Sequence, residues 1–111
     1  ALAGPLATAT EGLAQATAWL QQQPADQADS VAAGAGPYLR MFGITAGGWL
    51  LALSALRAKA AATDDAGFAR AKLATATFYA AQILPQAAAL QAAVTAGSAN
   101  LFAIEPELLT T

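Results

Sequence analysis

Residues 73–94 read LATATFYAAQILPQAAALQAAV, and within them Leu73, Ala76, Ala80, Ile83, Ala87, Leu90 and Val94 recur at alternating steps of three and four. Such a spacing puts all seven on one side of an α-helix and matches no strand. The seam crosses Pro85 without losing phase, so a helix should reach Leu84 and continue or restart beyond the proline as far as Ala96, where Gly97 supplies a left-handed C-terminal cap. Phe68, Thr75, Phe78, Tyr79 and Gln82 lie on a different side of the same stretch. A helix apolar on more than one side meets more than one neighbour.

Upstream, Thr63-Asp64-Asp65 can cap this helix. Before it comes a second helical stretch from about Asp26 to Ala61, ended by Arg57 and Lys59 where the negative end of the dipole favours cations. Gly34-Ala35-Gly36-Pro37 interrupts it and predicts either a kink or two helices. Beyond Pro37, Tyr38, Phe42, Trp49, Leu53 and Leu56 follow helical spacing. Thr8 and Glu11 have the spacing of a capping box, which predicts a first helix from Ala9 to Gln22 with Leu13, Ala16, Thr17 and Leu20 inward and Pro24 closing it. In the tail, Pro106-Glu107-Leu108-Leu109 can make one turn. No repeat and no alternating strand pattern is present, so the expected fold is all-α: an antiparallel bundle of three to five helices with proline kinks, forming one domain over residues 1–111.

Composition agrees with that fold and sets a problem. Nearly a third of the 111 residues are alanine, the best helix former, and 57% of the chain is apolar while only 11% is charged. An ordinary soluble domain is about 45–50% apolar and about 25% charged. Too little polar material is present to coat the surface, which points to a piece that rests against something else. The start Ala1-Leu2-Ala3-Gly4 resembles neither a signal peptide nor a natural start, and a piece of a longer protein is the expectation.

Several functions are disfavoured by residue type. Arg40, Arg57, Lys59, Arg70 and Lys72 are the only cations, too few and scattered to track a phosphate backbone, which argues against nucleic acid. Without cysteine or histidine the chain has no thiolate, no imidazole base and no metal site of N or S ligands, and Ser30, Ser54 and Ser98 lack an activating histidine. Most carboxylates sit near helix starts, where the dipole accounts for them. A membrane span fits poorly: the uncharged stretch 41–56 is shorter than the ~20 residues required. The uncharged stretch 73–104 carries Gln82, Gln86, Gln91 and Asn100, which are costly in lipid. Gly43 and Gly47 stand one turn apart, with Gly48 beside them, and three glycines inside a helix suggest close approach of another helix.

The blocks Gly36-Pro37-Tyr38-Leu39-Arg40-Met41-Phe42-Gly43, with Gly47-Gly48-Trp49 after it, and Ala71-Lys72-Leu73-Ala74-Thr75-Ala76-Thr77-Phe78-Tyr79-Ala80, with Ile83-Leu84-Pro85-Gln86 after it, cover two separated parts of the chain. They resemble the acetyl-CoA-dehydrogenase-like C-terminal domain of bacterial acyl-CoA dehydrogenases, on the branch that includes methylthiopropionyl-CoA dehydrogenase. That resemblance implies a helical accessory domain behind the catalytic core of a cytoplasmic flavoenzyme of fatty acid metabolism, one that forms an α,β double bond in an acyl-CoA thioester. Its FAD site, CoA channel and glutamate base lie upstream. It assigns no catalytic, cofactor-binding or metal residue to this segment, and whether the segment alone is an enzyme stays open. Packing or interface roles fall to Tyr38, Arg40, Phe42, Gly43, Gly47, Gly48, Trp49, Lys72, Phe78, Tyr79 and Pro85. The implied partners are the upstream catalytic domains and further subunits of a homo-oligomer. A peripheral membrane or scaffold module, or a free-standing helical adaptor, is the alternative.

Overall fold

The computed structural model describes residues 2–61 and 66–110, which form helices joined by short turns, bends and irregular residues, with no strand among them. Helix α1 spans Ala3–Gln21, α2 spans Ala28–Ala60, α3 spans Ala66–Gln82 and α4 spans Leu84–Val94. Short 3₁₀ turns at Ala25–Gln27 and Pro106–Thr110 precede α2 and end the chain. The cap expected at Thr63-Asp64-Asp65 lies outside the described residues.

Helix α1 corrects the expected start. It opens six residues before Ala9, and Thr8 is inside it, where its hydroxyl donates to the Gly4 carbonyl at 3.1 Å instead of capping. The reason is Pro5, which falls in the first turn. There the missing N–H would have had no intrahelical partner, so the proline is tolerated and the alanine-rich run extends backward.

The two internal prolines behave differently. Helix α2 runs unbroken through Pro37. Close packing flanks that residue on both sides: a Cβ placed on Gly34 would lie 2.5 Å from the Val94 carbonyl oxygen, and Tyr38 Oη shares a 2.7 Å hydrogen bond with Thr17 Oγ1. Pro85 is instead the second residue of α4, and the ladder breaks at Ile83 (φ −110°, ψ −48°). The amide of Ile83 still donates to the Tyr79 carbonyl at 2.9 Å, and the Gln86 amide closes a tight turn onto the Ile83 carbonyl at 3.0 Å. The phase of the seam survives that turn. Leu84, at 3% exposure, takes the buried place expected for Ile83, while Ala76, Ala80, Ala87 and Val94 stay buried and Leu73 is half exposed. Helix α4 ends at Val94 with Thr95 as its C-cap, two residues before the expected end at Ala96, and Gly97 adopts φ +77° in the turn beyond it.

Helix directions follow from the contacts. Gly12 faces Met41 while Thr17 faces Tyr38, so α1 runs antiparallel to α2. Gly34 faces Val94 while Gly48 faces Leu84, so α4 is antiparallel to α2 as well. The Gln91 side-chain amide donates to Gln15 Oε1 at 2.8 Å, tying α4 to α1. Long helix α2 is the spine: its first half packs on α1 and α4, and its second half meets α3.

The resulting core is thin. Among the described residues six of the nine buried apolar ones are alanine, and Met41 and Val94 are the largest fully buried side chains. The molecule measures 65 × 34 × 17 Å, with a radius of gyration of 18.9 Å where a compact chain of this length has about 13 Å. Its accessible surface is 7309 Å², against about 5,700 Å² for a compact monomer of 11.1 kDa. The slab is less than two helix diameters thick and keeps a surplus of surface.

Candidate docking surface

Helix α2 turns small residues inward. Ser30, Gly34, Met41, Thr45, Gly48 and Ala55 are its buried positions. They recur at helical spacing, and only methionine among them is large. Thr45 satisfies its hydroxyl by donating to the Met41 carbonyl at 2.8 Å, and Ser30 shares a 3.3 Å hydrogen bond with Ser98 beside the Gly97 turn. A Cβ on Gly48 would come within 2.7 Å of Leu84 Cδ2, and one on Gly47 within 2.6 Å of Tyr79 Oη. These two positions let α3 and α4 lie close against the spine. Tyr79 then reaches across and donates its hydroxyl to the Ile44 carbonyl at 2.7 Å. Burial raises the Tyr79 pKa above the usual tyrosine value, so the phenol stays protonated and remains the donor.

The opposite side of α2 carries the bulk. Leu39 is 71% exposed, Phe42 50%, Trp49 56% and Leu56 65%, with Leu50 exposed next to them. No charge interrupts residues 41–56, and Arg40 and Arg57 stand at the two ends of that stretch. The Tyr38 and Phe42 rings are 6.5 Å apart and tilted by 45°, so Tyr38 links the inner face to the outer one. Further exposed apolar side chains continue elsewhere: Leu73 and Phe78 on α3, and Leu101, Phe102, Ile104 and Leu109 in the tail. A cleft of about 260 Å³ opens where Leu2, Leu56, Leu73, Lys59 and Arg70 come together. Isolated exposed leucines are ordinary, but a continuous strip of large apolar residues marks a binding surface.

The residues singled out from sequence therefore divide into groups. Tyr38, Gly47, Gly48 and Tyr79 belong to the inner contacts between α2 and its neighbours. Phe42 and Trp49 lie on the outer strip of α2, and Phe78 is exposed on α3. Arg40 is exposed, and Gly43 faces open space, with nothing within 4 Å of a Cβ placed there. No described helix approaches Gly43, and the close approach occurs at Gly47 and Gly48 instead. Lys72 Nζ stands 5.9 Å from the Phe68 ring centroid, within cation–π range, and Pro85 opens α4. Sequence reasoning missed Gly12, Gly34, Met41 and Leu84. A signal existed for three of them: Gly34, Met41 and Gly48 share one helix face, and Gly12 continues the Ala9–Ala16 stripe of α1.

Among the described residues no three His, Cys, Asp or Glu side chains gather into a group that could hold a metal ion. Residues 25–60 form one helical stretch long and apolar enough to cross a bilayer, with a mean hydropathy of 1.4 in its most apolar window. In this fold one flank of that stretch is covered by α1, α3 and α4. What the arrangement offers chemically is a rigid apolar strip on a thin helical slab.

Comparison with known proteins gives one family, and no curated protein or solved structure matches the chain. The family profile described as acetyl-CoA dehydrogenase C-terminal like matches residues 1–105, nearly the whole chain. The two blocks at residues 36–49 and 71–86, the all-helical slab and the profile agree: the chain belongs to the acetyl-CoA dehydrogenase C-terminal-like family.

Proposed function

We propose that the chain serves as the accessory C-terminal domain of an FAD-dependent acyl-CoA dehydrogenase of the methylthiopropionyl-CoA dehydrogenase-like branch, docking on the catalytic domains or at the subunit interface. The observation that carries this reading is the inversion of α2, which buries glycine, serine and alanine and presents leucine, phenylalanine and tryptophan. A helix so arranged gains little from its own core and has much to gain from a partner. At about 25 cal/mol per Å², covering about 800 Å² of largely apolar surface contributes on the order of 10–20 kcal/mol before the costs of ordering. The family match supports the class of parent enzyme. We assign no step of flavin chemistry to these residues.

The test is the parent dehydrogenase with and without residues 1–111. Removal is expected to lower its melting temperature by several degrees and reduce flavin-dependent acyl-CoA oxidation, and the separated chain should co-purify with the remaining catalytic domains. Full stability and activity without the segment, and no co-purification, would overturn the docking role. The length and apolarity of α2 favour a second reading, a peripheral membrane module. Pelleting of the chain with anionic phosphatidylglycerol vesicles at low salt would favour it.

A further inference from the structure

The outer strip of α2 has an internal order that its exposure alone does not express. Leu39, Phe42, Ala46, Trp49, Leu53 and Leu56 follow one another at steps of three, four, three, four and three. That is the spacing of a two-helix seam sustained over 18 residues, about 26 Å of helix. It lies on the side of α2 turned away from the Met41, Thr45 and Gly48 face, with Leu39, Phe42, Trp49 and Leu56 at least half exposed. Ala46 and Leu53, between them, are partly buried.

The sizes along the seam identify the occupant. Ala46 is a gap between two aromatic side chains. In a parallel pairing with an identical helix, like faces like: Ala46 would meet Ala46 and leave a void, and the next layer would have to hold two tryptophans. In an antiparallel pairing centred between Gly47 and Gly48, Trp49 of each copy enters the gap at Ala46 of the other. Phe42 then meets Leu53, and Leu39 meets Leu56. The Trp49–Ala46 layers join a large side chain to a small one, and the remaining layers pair leucine or phenylalanine with leucine, so no layer is left with a void or with two tryptophans. A twofold axis brings the same patch of both copies together, so one seam suffices for both. We infer that the seam from Leu39 to Leu56 is a self-association surface that takes α2 of a second copy of this chain, antiparallel, with Trp49 seated on Ala46.

The chain as a whole exposes about 1,600 Å² more than a compact monomer of its mass, surplus enough to supply the ~800 Å² that one partner contributes to a standard interface. The pairing goes beyond the accessory-domain reading and leaves the apolar tail around Leu101, Phe102 and Leu109 free for catalytic domains. Residues 41–56 carry no charge, so the middle of the pairing is uncharged, while Arg40 of one copy and Arg57 of the other stand at each end of it.

The experiment exchanges the two sizes. Sedimentation equilibrium of the 111-residue chain should show a dimer at about 100 μM, with the dissociation constant raised at least about tenfold by Trp49→Ala and by Ala46→Trp separately. The double variant, which restores a large residue opposite a small one, should return the constant to within about threefold of the wild type. Both positions lie outside the core, and unchanged circular dichroism verifies that each variant is folded. A monomeric wild-type chain, a dimer indifferent to both single changes, or single losses that the exchange does not repair would each overturn the proposal. So would a monomer that pellets with phosphatidylcholine–phosphatidylglycerol vesicles through the same strip. A monomer that still co-purifies with the catalytic domains refutes the pairing and leaves the accessory role standing. A dimer with the exchange behaviour that does not co-purify supports the pairing and refutes that role.

Discussion

The two sides of α2 share a helix, a register and a solvent history, yet they differ in kind. The inner side is built from Ser30, Gly34, Thr45, Gly48 and Ala55 around a single Met41, and the outer side from Leu39, Phe42, Trp49 and Leu56. Size does not decide which side is buried within the domain. Small residues win the inside because they let backbones approach, and at short separation many weak dispersion contacts replace a few large side chains. The large residues are left for a surface whose partner lies beyond the domain.

Substitutions on the two sides should therefore separate widely. The largest effect is expected for Met41→Ala, which removes the largest fully buried side chain from a core otherwise made mostly of alanine: about 2–5 kcal/mol of stability, read by urea denaturation. Gly34→Ala comes next. Its Cβ would meet the Val94 carbonyl oxygen at 2.5 Å, so α4 must shift, and a net loss of about 1–3 kcal/mol should appear despite the better helix propensity of alanine.

Tyr79→Phe should cost about 1 kcal/mol, since the Ile44 carbonyl loses its additional donor. This variant also carries a pH signature. The native phenol titrates above the usual value of 10.0, so the stabilisation is fully present below pH 10 and is lost as pH rises through the raised native pKa. Stability curves of the wild type and Tyr79→Phe should converge in that alkaline window. If they stay parallel, the inner side does not depend on this hydrogen bond.

The smallest effects belong to the outer side. Gly43→Ala, with open space at its Cβ, should gain about 0.5–1 kcal/mol, opposite in sign to Gly34→Ala on the same helix. Trp49→Ser should change the stability of a monomeric chain by less than about 0.5 kcal/mol. A loss of several kcal/mol there would mean that the outer strip belongs to the domain's own core, and the contrast between the sides would collapse.

Much of this was legible in the residues. Helices at the expected places, the stop before Pro24, the positive φ of Gly97 and the turn at Pro106 all follow from local chemistry, because each depends on a few neighbours in the chain. The expected cap at Thr8 failed because Pro5 allowed an earlier start that propensity alone did not distinguish. Ile83 was expected inside and Leu84 took its place, since Leu84 stands four residues after Ala80 and three before Ala87 and so fits the same helix face equally well by spacing. The docking surface was half legible: Phe42 and Trp49 stood out by type and spacing, but nothing local said that they face away from the bundle.

The sequence by itself determined an all-helical chain, its approximate helix ends and a surplus of apolar residues over the polar ones needed to cover them. Only the tertiary structure decided that Pro37 sits inside one continuous helix while Pro85 opens a new one, and that Gly34 and Gly48, not Leu39 and Trp49, face the core. Periodicity fixes which residues share a face, but it carries no sign: both faces of α2 repeat with the helix. Which one turns inward depends on how closely α1, α3 and α4 can approach, and that is a property of all four helices together.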